Sequence, residues 1–258
     1  MSSVVVPSLF PQKYDVFGVA ISAATYDTAQ EAVLAAARQR RSATVTHISS
    51  HGLTMAARDE KFRDVINSFD IAAPDGQPVR WTLKWFHKQP LPDRCYGPEL
   101  MIRLCRAAAK DGISIYLYGS SPDVLELLST NLKKECPGLN IAGAESPPFR
   151  ALTPEETDAA IARINDSGAG LVFIGLGCPR QDVFAAEHKE KIKAVQLCVG
   201  AAFDFHAGNK KMAPRWMQKH GLEWFFRLTQ EPGRLWKRYL SIHTTFALLM
   251  TRRLILGR

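Results

Sequence analysis

Residues 171–181 read Leu-Val-Phe-Ile-Gly-Leu-Gly-Cys-Pro-Arg-Gln, and this stretch decides the fold class. Its first six residues, Leu171 to Leu176, are a continuous apolar run typical of a parallel strand buried on both faces. The glycine, cysteine and proline that follow predict a turn, after which a helical pattern continues to Lys193. A second apolar run, Val195 to Val199, predicts the next strand. This order of elements indicates a βαβ unit.

The same alternation extends along most of the chain. Further strands are predicted at 16–21, 44–49, 70–73, 113–118 and 139–142. Helices are predicted at 28–40, with Asp27 as N-cap, and at 51–68, 78–87, 98–110, 122–136 and 154–165. Strands that alternate with helices predict an α/β fold with a mostly parallel sheet and helices on both faces. In such folds ligands bind outside the carboxyl ends of the strands.

The last fifty residues differ in composition from the rest of the chain. Residues 206–258 contain eleven Lys and Arg but only two acids, Glu223 and Glu231, and they hold seven aromatic residues. Their formal charge is +9, whereas residues 1–205 carry −1. We therefore expect an α/β core at 1–205 and a basic helical appendage at 206–258. Its partner would be an anionic membrane, a nucleic acid or a phosphorylated substrate.

Several classes of protein are disfavoured by what the sequence lacks. The chain opens without a secretory signal pattern, and no run of about 18 uncharged apolar residues predicts a spanning helix. Five cysteines without a C-x-x-C pair favour a reduced, cytosolic chain, and no metal-binding motif is present. A dehydrogenase is weakened because the G-x-G-x-x-G fingerprint is missing, and the P-loop pattern is missing too. A nucleic-acid-binding protein stays open as an alternative.

Polar residues that follow the predicted strands are candidates for chemistry. Asp75, in Pro-Asp-Gly after a short apolar strand, is either a general base or an ordinary Asp-Gly turn. Gly119 precedes a helix start that could hold a phosphate, although such small residues are common in βα turns. Gly177 and Gln181 either let a ligand approach the backbone and donate to a sugar or phosphate oxygen, or belong to an ordinary strand-to-helix turn. Asp204, between two phenylalanines, either binds substrate or caps a helix.

Three arginines of the appendage recur at spacings of seven and four. Arg227, Arg234 and Arg238 would share a face on one helix and suit a diphosphate, although Pro232 breaks or restarts that helix. The alternative is a solvated charged face. Among the histidines, only His47 and His51 lie near a predicted crevice.

The order of these motifs resembles the WecG/TagA/CpsF glycosyltransferase family from about Val16 to Tyr239. The resemblance is carried by P-D-G at 74–76, G-x-G-x-P-x-Q at 175–181 and G-A-A-F-D-F-x-A-G at 200–208. A longer string, A-P-x-W-M-Q…G-L-E-W-x-x-R-L-x-x-E-P-x-R-L-x-x-R-Y, runs from Ala213 to Tyr239. The resemblance implies a Rossmann-like fold of the GT-E type with a membrane-associating C-terminal appendage.

The resemblance also implies an activity and partners. It implies inverting transfer of a hexose-type sugar from a nucleotide sugar, with UDP the expected nucleotide, to an undecaprenyl-diphosphate-linked glycan in polysaccharide biosynthesis. The protein would act in the cytoplasm, peripherally on the inner membrane leaflet, without nucleic acid and without a metal or other cofactor. The sequence leaves open whether it forms a homo-oligomer.

Individual site residues follow from the same resemblance. It places the catalytic base at Asp75 and substrate-binding residues at Arg94, Gln181 and Asp204. Arg227, Arg234 and Arg238 would hold the lipid diphosphate or the donor phosphates.

The chain departs from the family pattern near the expected sugar and acceptor sites. The family's Thr-x-Asn after the second strand is replaced here, with Ser49 in place of Asn and His47 or Thr46 in place of Thr. Glu99 stands where the family has Asp, and Met212 stands where it has Arg. These departures leave the identity of the donor sugar open.

Overall fold

The buried apolar runs of the chain form one six-stranded parallel sheet. The computed structural model describes residues 8–256, with the side chains of Arg234 and Leu256 excepted. The strands of the sheet are β3 (Ala43–Ile48), β4 (Ile71–Pro74), β5 (Ile115–Gly119), β6 (Ile141–Glu145), β7 (Leu171–Gly175) and β8 (Val195–Cys198). Their spatial order is β4-β3-β8-β7-β5-β6, and every neighbouring pair is parallel. The predicted α/β class is confirmed.

Helices cover both faces of the sheet. The body contains α1 (Tyr26–Arg38), α2 (Ser50–Arg58), α3 (Glu60–Asn67), α4 (Gln77–His87), α5 (Gly97–Asp111), α6 (Pro122–Glu135), α7 (Pro154–Asp166), α8 (Arg180–Glu187) and α9 (Ala202–Ala207). Apolar residues of α1, α5, α6 and α9 form the core on one face. Helices α7 and α8 bury apolar residues against the other face, and α2, α3 and α4 form a third cluster beside β4. The strands between the two layers are therefore shielded from water on both sides.

The N-terminal elements differ from their prediction. The run 16–21 is not one strand but the second half of an antiparallel hairpin, β1 (Lys13–Val16) and β2 (Val19–Ser22). The chain reverses at Phe17 and Gly18, both with positive φ, and glycine adopts this conformation without steric cost. Helix α1 is capped by Thr25 rather than Asp27, because the Thr25 and Thr28 side chains form a reciprocal capping box. Helix α8 ends at Glu187, six residues before the predicted end.

The basic segment forms three helices that pack back onto the body. They are α10 (Arg215–Lys219), α11 (Glu223–Gln230) and α12 (Pro232–Leu256). As expected, Pro232 starts a new helix, so Arg227 lies on α11 while Arg238 lies on α12. Helix α12 lies against α2, and its Phe246 ring meets Phe17 edge-on at 6.0 Å between centroids. Within residues 8–256, no helix combines the length and apolar character needed to cross a membrane.

Candidate active site

A crevice is expected where the chain leaves neighbouring strands toward opposite faces of the sheet. After β3 the chain turns into α2 and α3, whereas after the adjacent β8 it turns into α9 on the other face. Such a switch point opens a crevice at the carboxyl ends of the strands. The loops after β4, β3 and β8 therefore form a candidate site, and α11 lies across it through contacts described below.

Asp75 is the first residue after β4, at the edge of this crevice. Its backbone N–H donates to the Ile48 carbonyl oxygen of β3 at 3.0 Å, which fixes the turn. Its side chain is largely buried, and the carboxylate oxygen Oδ1 has no hydrogen-bond partner among the described residues. Burial raises the pKa of Asp75 to about 6, with Glu223 adding to the rise and Arg94 and Arg227 opposing it. A carboxylate with this pKa and a free oxygen is suited to accept a proton.

Among the described side chains, Arg94 is the cation that pairs with Asp75. Its Nη1 lies 3.9 Å from Asp75 Oδ1 and donates to the Asp75 carbonyl oxygen at 3.3 Å. The next residue, Cys95, donates its backbone N–H to the Pro74 carbonyl oxygen at 2.9 Å, which ties this segment to the end of β4. The guanidinium also stacks over the Tyr96 ring, with 4.0 Å from Cζ to the ring centroid. Arg94 is therefore held in one orientation beside the Asp75 carboxylate.

Helices α10 and α11 supply the other half of the charged cluster. Arg94 Nη2 donates to Glu223 Oε2 at 2.6 Å and to Gln218 Oε1 at 3.1 Å. The other oxygen of Glu223 accepts from Arg227 Nη2 at 2.5 Å and from the Tyr96 hydroxyl at 3.2 Å. Burial alone would raise the pKa of Glu223, but Arg227 and Arg94 outweigh it and lower the pKa overall. The structure thus brings together Asp75, Arg94 and Arg227, three residues that the sequence analysis selected.

Three members of this cluster were not selected from the sequence. Gln218 and Glu223 were letters of the motif at 213–239, and Tyr96 was not considered as a site residue. The one local signal was the spacing of Glu223 and Arg227, which are four residues apart and face each other on a helix.

The end of β3 carries Thr46, His47 and Ser49, which the sequence analysis places near the expected sugar site. Thr46 is buried, and its hydroxyl donates to Asp182 Oδ1 of α8 at 2.6 Å, so it is engaged within the protein. Ser49 is the N-cap of α2 and accepts from the Gly52 N–H at 3.4 Å. Both side chains have structural partners in this structure, which the sequence did not reveal.

His47 is the residue of this strand with an unused polar atom. Its Nδ1 lies 3.1 Å from the Cys198 carbonyl oxygen, and since a carbonyl only accepts, Nδ1 carries the proton. Burial lowers the pKa of His47 to about 4, so the imidazole is neutral at pH 7 and Nε2 is an acceptor. No described residue donates to Nε2. Nε2 of His47 is thus a buried acceptor without a partner among the described residues.

The residues selected after β7 lie on the far side of the switch point from Asp75. Gln181 is buried, and its Oε1 accepts from the Gly177 N–H at 3.1 Å, so it braces the loop that Gly177 begins. Gly177 has a φ of 78°, and nothing lies within 4 Å of where a Cβ would stand, so this loop borders open space. The Asp204 carboxylate pairs with Lys210 at 3.2 Å.

Gly119 is the selected residue that lies farthest from Asp75 across the sheet. Four strand spacings separate β4 from β5, roughly 19 Å at about 4.8 Å per spacing. A Cβ at Gly119 would stand 2.7 Å from the backbone of Gly175, so close packing of two strand ends already requires glycine here.

Arg238 extends the cationic side of the site along α12. Burial lowers the pKa of His51, and the positive charge of Arg238 lowers it further. Burial raises the pKa of Cys178, and the charge of Arg238 opposes that rise. Arg238 therefore lies near the start of α2 and the loop after β7, and it makes no hydrogen bond or ion pair with the described residues. Arg234 has its side chain outside the described part of the chain. In that described part, no three His, Cys, Asp or Glu residues are grouped to hold a metal ion.

The comparison with known families agrees with this architecture. A family model described as the glycosyl transferase WecG/TagA/CpsF family matches residues 14–258, which is nearly the whole chain and includes α10, α11 and α12.

Proposed function

Because the chain belongs to the WecG/TagA/CpsF family of glycosyltransferases, we propose that it transfers a hexose-type sugar from UDP to a lipid-diphosphate-linked glycan, with inversion. Family membership supports a nucleotide-sugar donor and a glycan acceptor in general terms and disfavours the nucleic-acid-binding and dehydrogenase alternatives. The observation that carries the proposal is the buried Asp75 carboxylate with a free oxygen beside Arg94 and Arg227. This arrangement combines a proton acceptor with cations for a diphosphate.

In the proposed reaction Asp75 accepts the proton of an acceptor hydroxyl. The hydroxyl oxygen attacks the anomeric carbon from the side opposite the nucleotide, and the bond between that carbon and the diphosphate oxygen breaks. The electron pair of that bond leaves with UDP, so the leaving group gains negative charge. Cationic side chains and helix N-termini would stabilise this charge, and we propose Arg227 and Arg238 for the former.

The donor is tested by a panel of nucleotide sugars. UDP-hexoses, UDP-N-acetylhexosamines and UDP-uronic acids are compared by thermal stabilisation of the protein and by release of UDP in the presence of a lipid-diphosphate-linked glycan. The proposal expects at least one UDP-sugar to stabilise the protein and to release UDP only when the acceptor is present. Stabilisation by oligonucleotides or by NAD, without any response to UDP-sugars, would contradict it.

Arg238→Ala is expected to lower kcat/KM for transfer by about tenfold, because one charge-assisted hydrogen bond to a diphosphate contributes about 1.5 kcal/mol or more. The melting temperature should stay unchanged, since Arg238 is exposed and has no described partner. Steady-state kinetics with varied donor and varied acceptor show whether KM rises for the UDP-sugar or for the lipid-diphosphate-linked glycan, and so which diphosphate Arg238 binds. Lys237→Ala, which removes the neighbouring charge packed over Trp236, is the matched control. Equal losses in both variants would refute a specific role for Arg238.

We propose that α12 lies on the membrane surface. One side of this helix is packed on the body through Leu235 and Ile242. The other side exposes Trp236, Leu240, Leu248, Leu254 and Ile255, with arginines beside them. A long helix that is apolar on its free side and basic overall is suited to lie in the headgroup region of an anionic leaflet.

Replacing Leu248 and Ile255 together by Glu is expected to abolish co-flotation with vesicles that contain anionic lipid. Two charges on the inserting side would have to enter the apolar boundary, and they would also repel anionic headgroups. The fold should persist, because both side chains are exposed. Leu127→Glu, at an exposed leucine of α6, is the control and should leave flotation intact. Unchanged flotation of the double variant would show that α12 is not the membrane-contacting element.

A further inference from the structure

Glu223 links the C-terminal helices to the body through ion pairs and hydrogen bonds. Its two carboxylate oxygens receive the Arg94 guanidinium on one side and the Arg227 guanidinium and Tyr96 hydroxyl on the other. The side chain is only 12% exposed. It makes no hydrogen bond to Asp75, yet two of its partners, Arg94 and Arg227, face the proposed reaction centre.

The geometry of Arg94 shows a competition between two carboxylates. The Nη2 atom is 2.6 Å from Glu223, whereas the shortest approach of Arg94 to the Asp75 carboxylate is 3.9 Å, from Nη1. Arginine and carboxylate side chains frequently form close, bidentate pairs. Asp75 Oδ1 keeps no hydrogen bond within the described structure, although a cation lies beside it. The close contact of the guanidinium is the one to Glu223, on the side of α11.

We propose that Glu223 is a positioning residue that holds Arg94 off the Asp75 carboxylate, so that Asp75 stays free to take a proton from the acceptor. This inference rests on the proposed function, in which Asp75 is the base. Without the Glu223 carboxylate, Arg94 would close onto Asp75 as a bidentate pair. The Asp75 carboxylate would then accept two hydrogen bonds from Arg94, which would block its oxygens. The positive charge of Arg94 would also lower the pKa of Asp75 and make it a weaker base.

The charged groups around Asp75 also support this role for Glu223. The groups that face it are Arg94, from the segment before α5, and Glu223 and Arg227, from α11. Tyr26 of α1, Cys95 and Tyr96 also lie near, and burial raises the pKa of each of them, so all three are neutral at pH 7. Burial raises the pKa of Asp75, and the negative charge of Glu223 raises it further. Removing that charge leaves two cations facing Asp75 and must lower its pKa.

The test is a direct titration of Asp75 in the full-length protein. The ¹³C signal of labelled Asp carboxyl groups is followed with pH in the wild type and in Glu223→Gln, and the Asp75→Asn variant assigns the signal. The titration midpoint of Asp75 should fall by about one pH unit in Glu223→Gln. The acidic limb of kcat for sugar transfer should move down in pH with it, and the plateau kcat should fall severalfold.

Two further variants separate charge from folding. Glu223→Asp keeps the charge, so the Asp75 midpoint should stay close to that of the wild type even if the shorter side chain loosens α11. Glu60→Gln removes an exposed carboxylate on α3 and should change neither the midpoint nor the rate. A midpoint that stays unchanged or rises in folded Glu223→Gln would overturn the proposal. If the midpoint falls but Asp75→Asn retains sugar transfer, the part of the proposed function that makes Asp75 the base fails instead, so the two failures are distinguishable.

Discussion

Asp75→Asn is expected to lower kcat for sugar transfer by roughly 10² to 10⁴-fold, the range that a positioned general base contributes. The amide has the size of the carboxylate but cannot accept the acceptor's proton. Donor binding should be nearly unchanged, because the cations proposed to hold the diphosphate remain. UDP-sugar binding by calorimetry and transfer by radiolabelled sugar measure the two properties separately.

The same substitution should stabilise the protein at neutral pH. The pKa of Asp75 is raised to about 6 in the folded state, chiefly by burial, against an ordinary value near 4 when unfolded. The folded state therefore binds the proton more tightly, and this contribution to stability is present below pH 4 and lost as pH rises through 6. A shift of about two units corresponds to roughly 2–3 kcal/mol. At pH 7.5 this is the free-energy cost of keeping the buried Asp75 carboxylate ionised in the folded state. The amide in Asp75→Asn is not ionised, so the melting temperature of this variant at pH 7.5 should exceed that of the wild type.

Asp27→Asn makes the same chemical change at an exposed aspartate and is the control for both measurements. It should leave transfer and melting temperature nearly unchanged. An Asp75→Asn protein that keeps substantial turnover would remove Asp75 from the role of base. If the variant were inactive and less stable, the loss would reflect damage to the fold instead.

Arg94→Met should unfold more easily than the wild type by about 3 kcal/mol and should lose sugar transfer. Arg94 is buried and shared among Glu223, Gln218 and the Asp75 segment, so its removal leaves buried acceptors unpaired. Urea unfolding of the purified full-length protein measures the change. Arg38→Met, which breaks an exposed pair with Asp111, is the control and should cost less than about 1 kcal/mol.

A double-mutant cycle tests whether Arg94 and Glu223 act together. The double variant Arg94→Met/Glu223→Leu leaves fewer unpaired buried charges than Arg94→Met alone. Its free energy of unfolding should therefore exceed the additive value by at least about 1 kcal/mol. Additive losses would mean that the 2.6 Å contact between Arg94 and Glu223 contributes nothing to the docking of α11.

The sheet could be predicted from the sequence because its strands are marked by their own composition. Leu171 to Leu176 is apolar at nearly every position, and only a strand covered on both faces by helices buries such a run. The N-terminal hairpin was missed because the apolar run 16–21 predicts one continuous strand, and Phe17-Gly18 in its middle is an unusual sequence for a tight turn. The cap at Thr25 was missed because its partner is Thr28 rather than the Glu or Gln of the common capping box.

Only part of the candidate site could be predicted from the sequence, and the reason lies in sequence separation. Asp75 follows a short apolar strand, so its place at a strand end could be inferred from local pattern. Glu223 lies 129 residues from Arg94, and nothing local to either residue indicates the contact. Such charge pairs depend on how α11 docks, which composition and periodicity do not encode. For the same reason Thr46, selected as substrate-binding, is found bonded to Asp182 of a distant helix.

The measurement that most directly tests single-step transfer with Asp75 as base is the anomeric configuration of the product. A UDP-α-sugar is incubated with the full-length protein and a lipid-diphosphate-linked glycan, and the coupling constant of the new anomeric proton is read by NMR. A base that activates the acceptor for one displacement predicts a β-linked product. An α-linked product would require two displacements or attack from the leaving-group side and would contradict the mechanism proposed for Asp75.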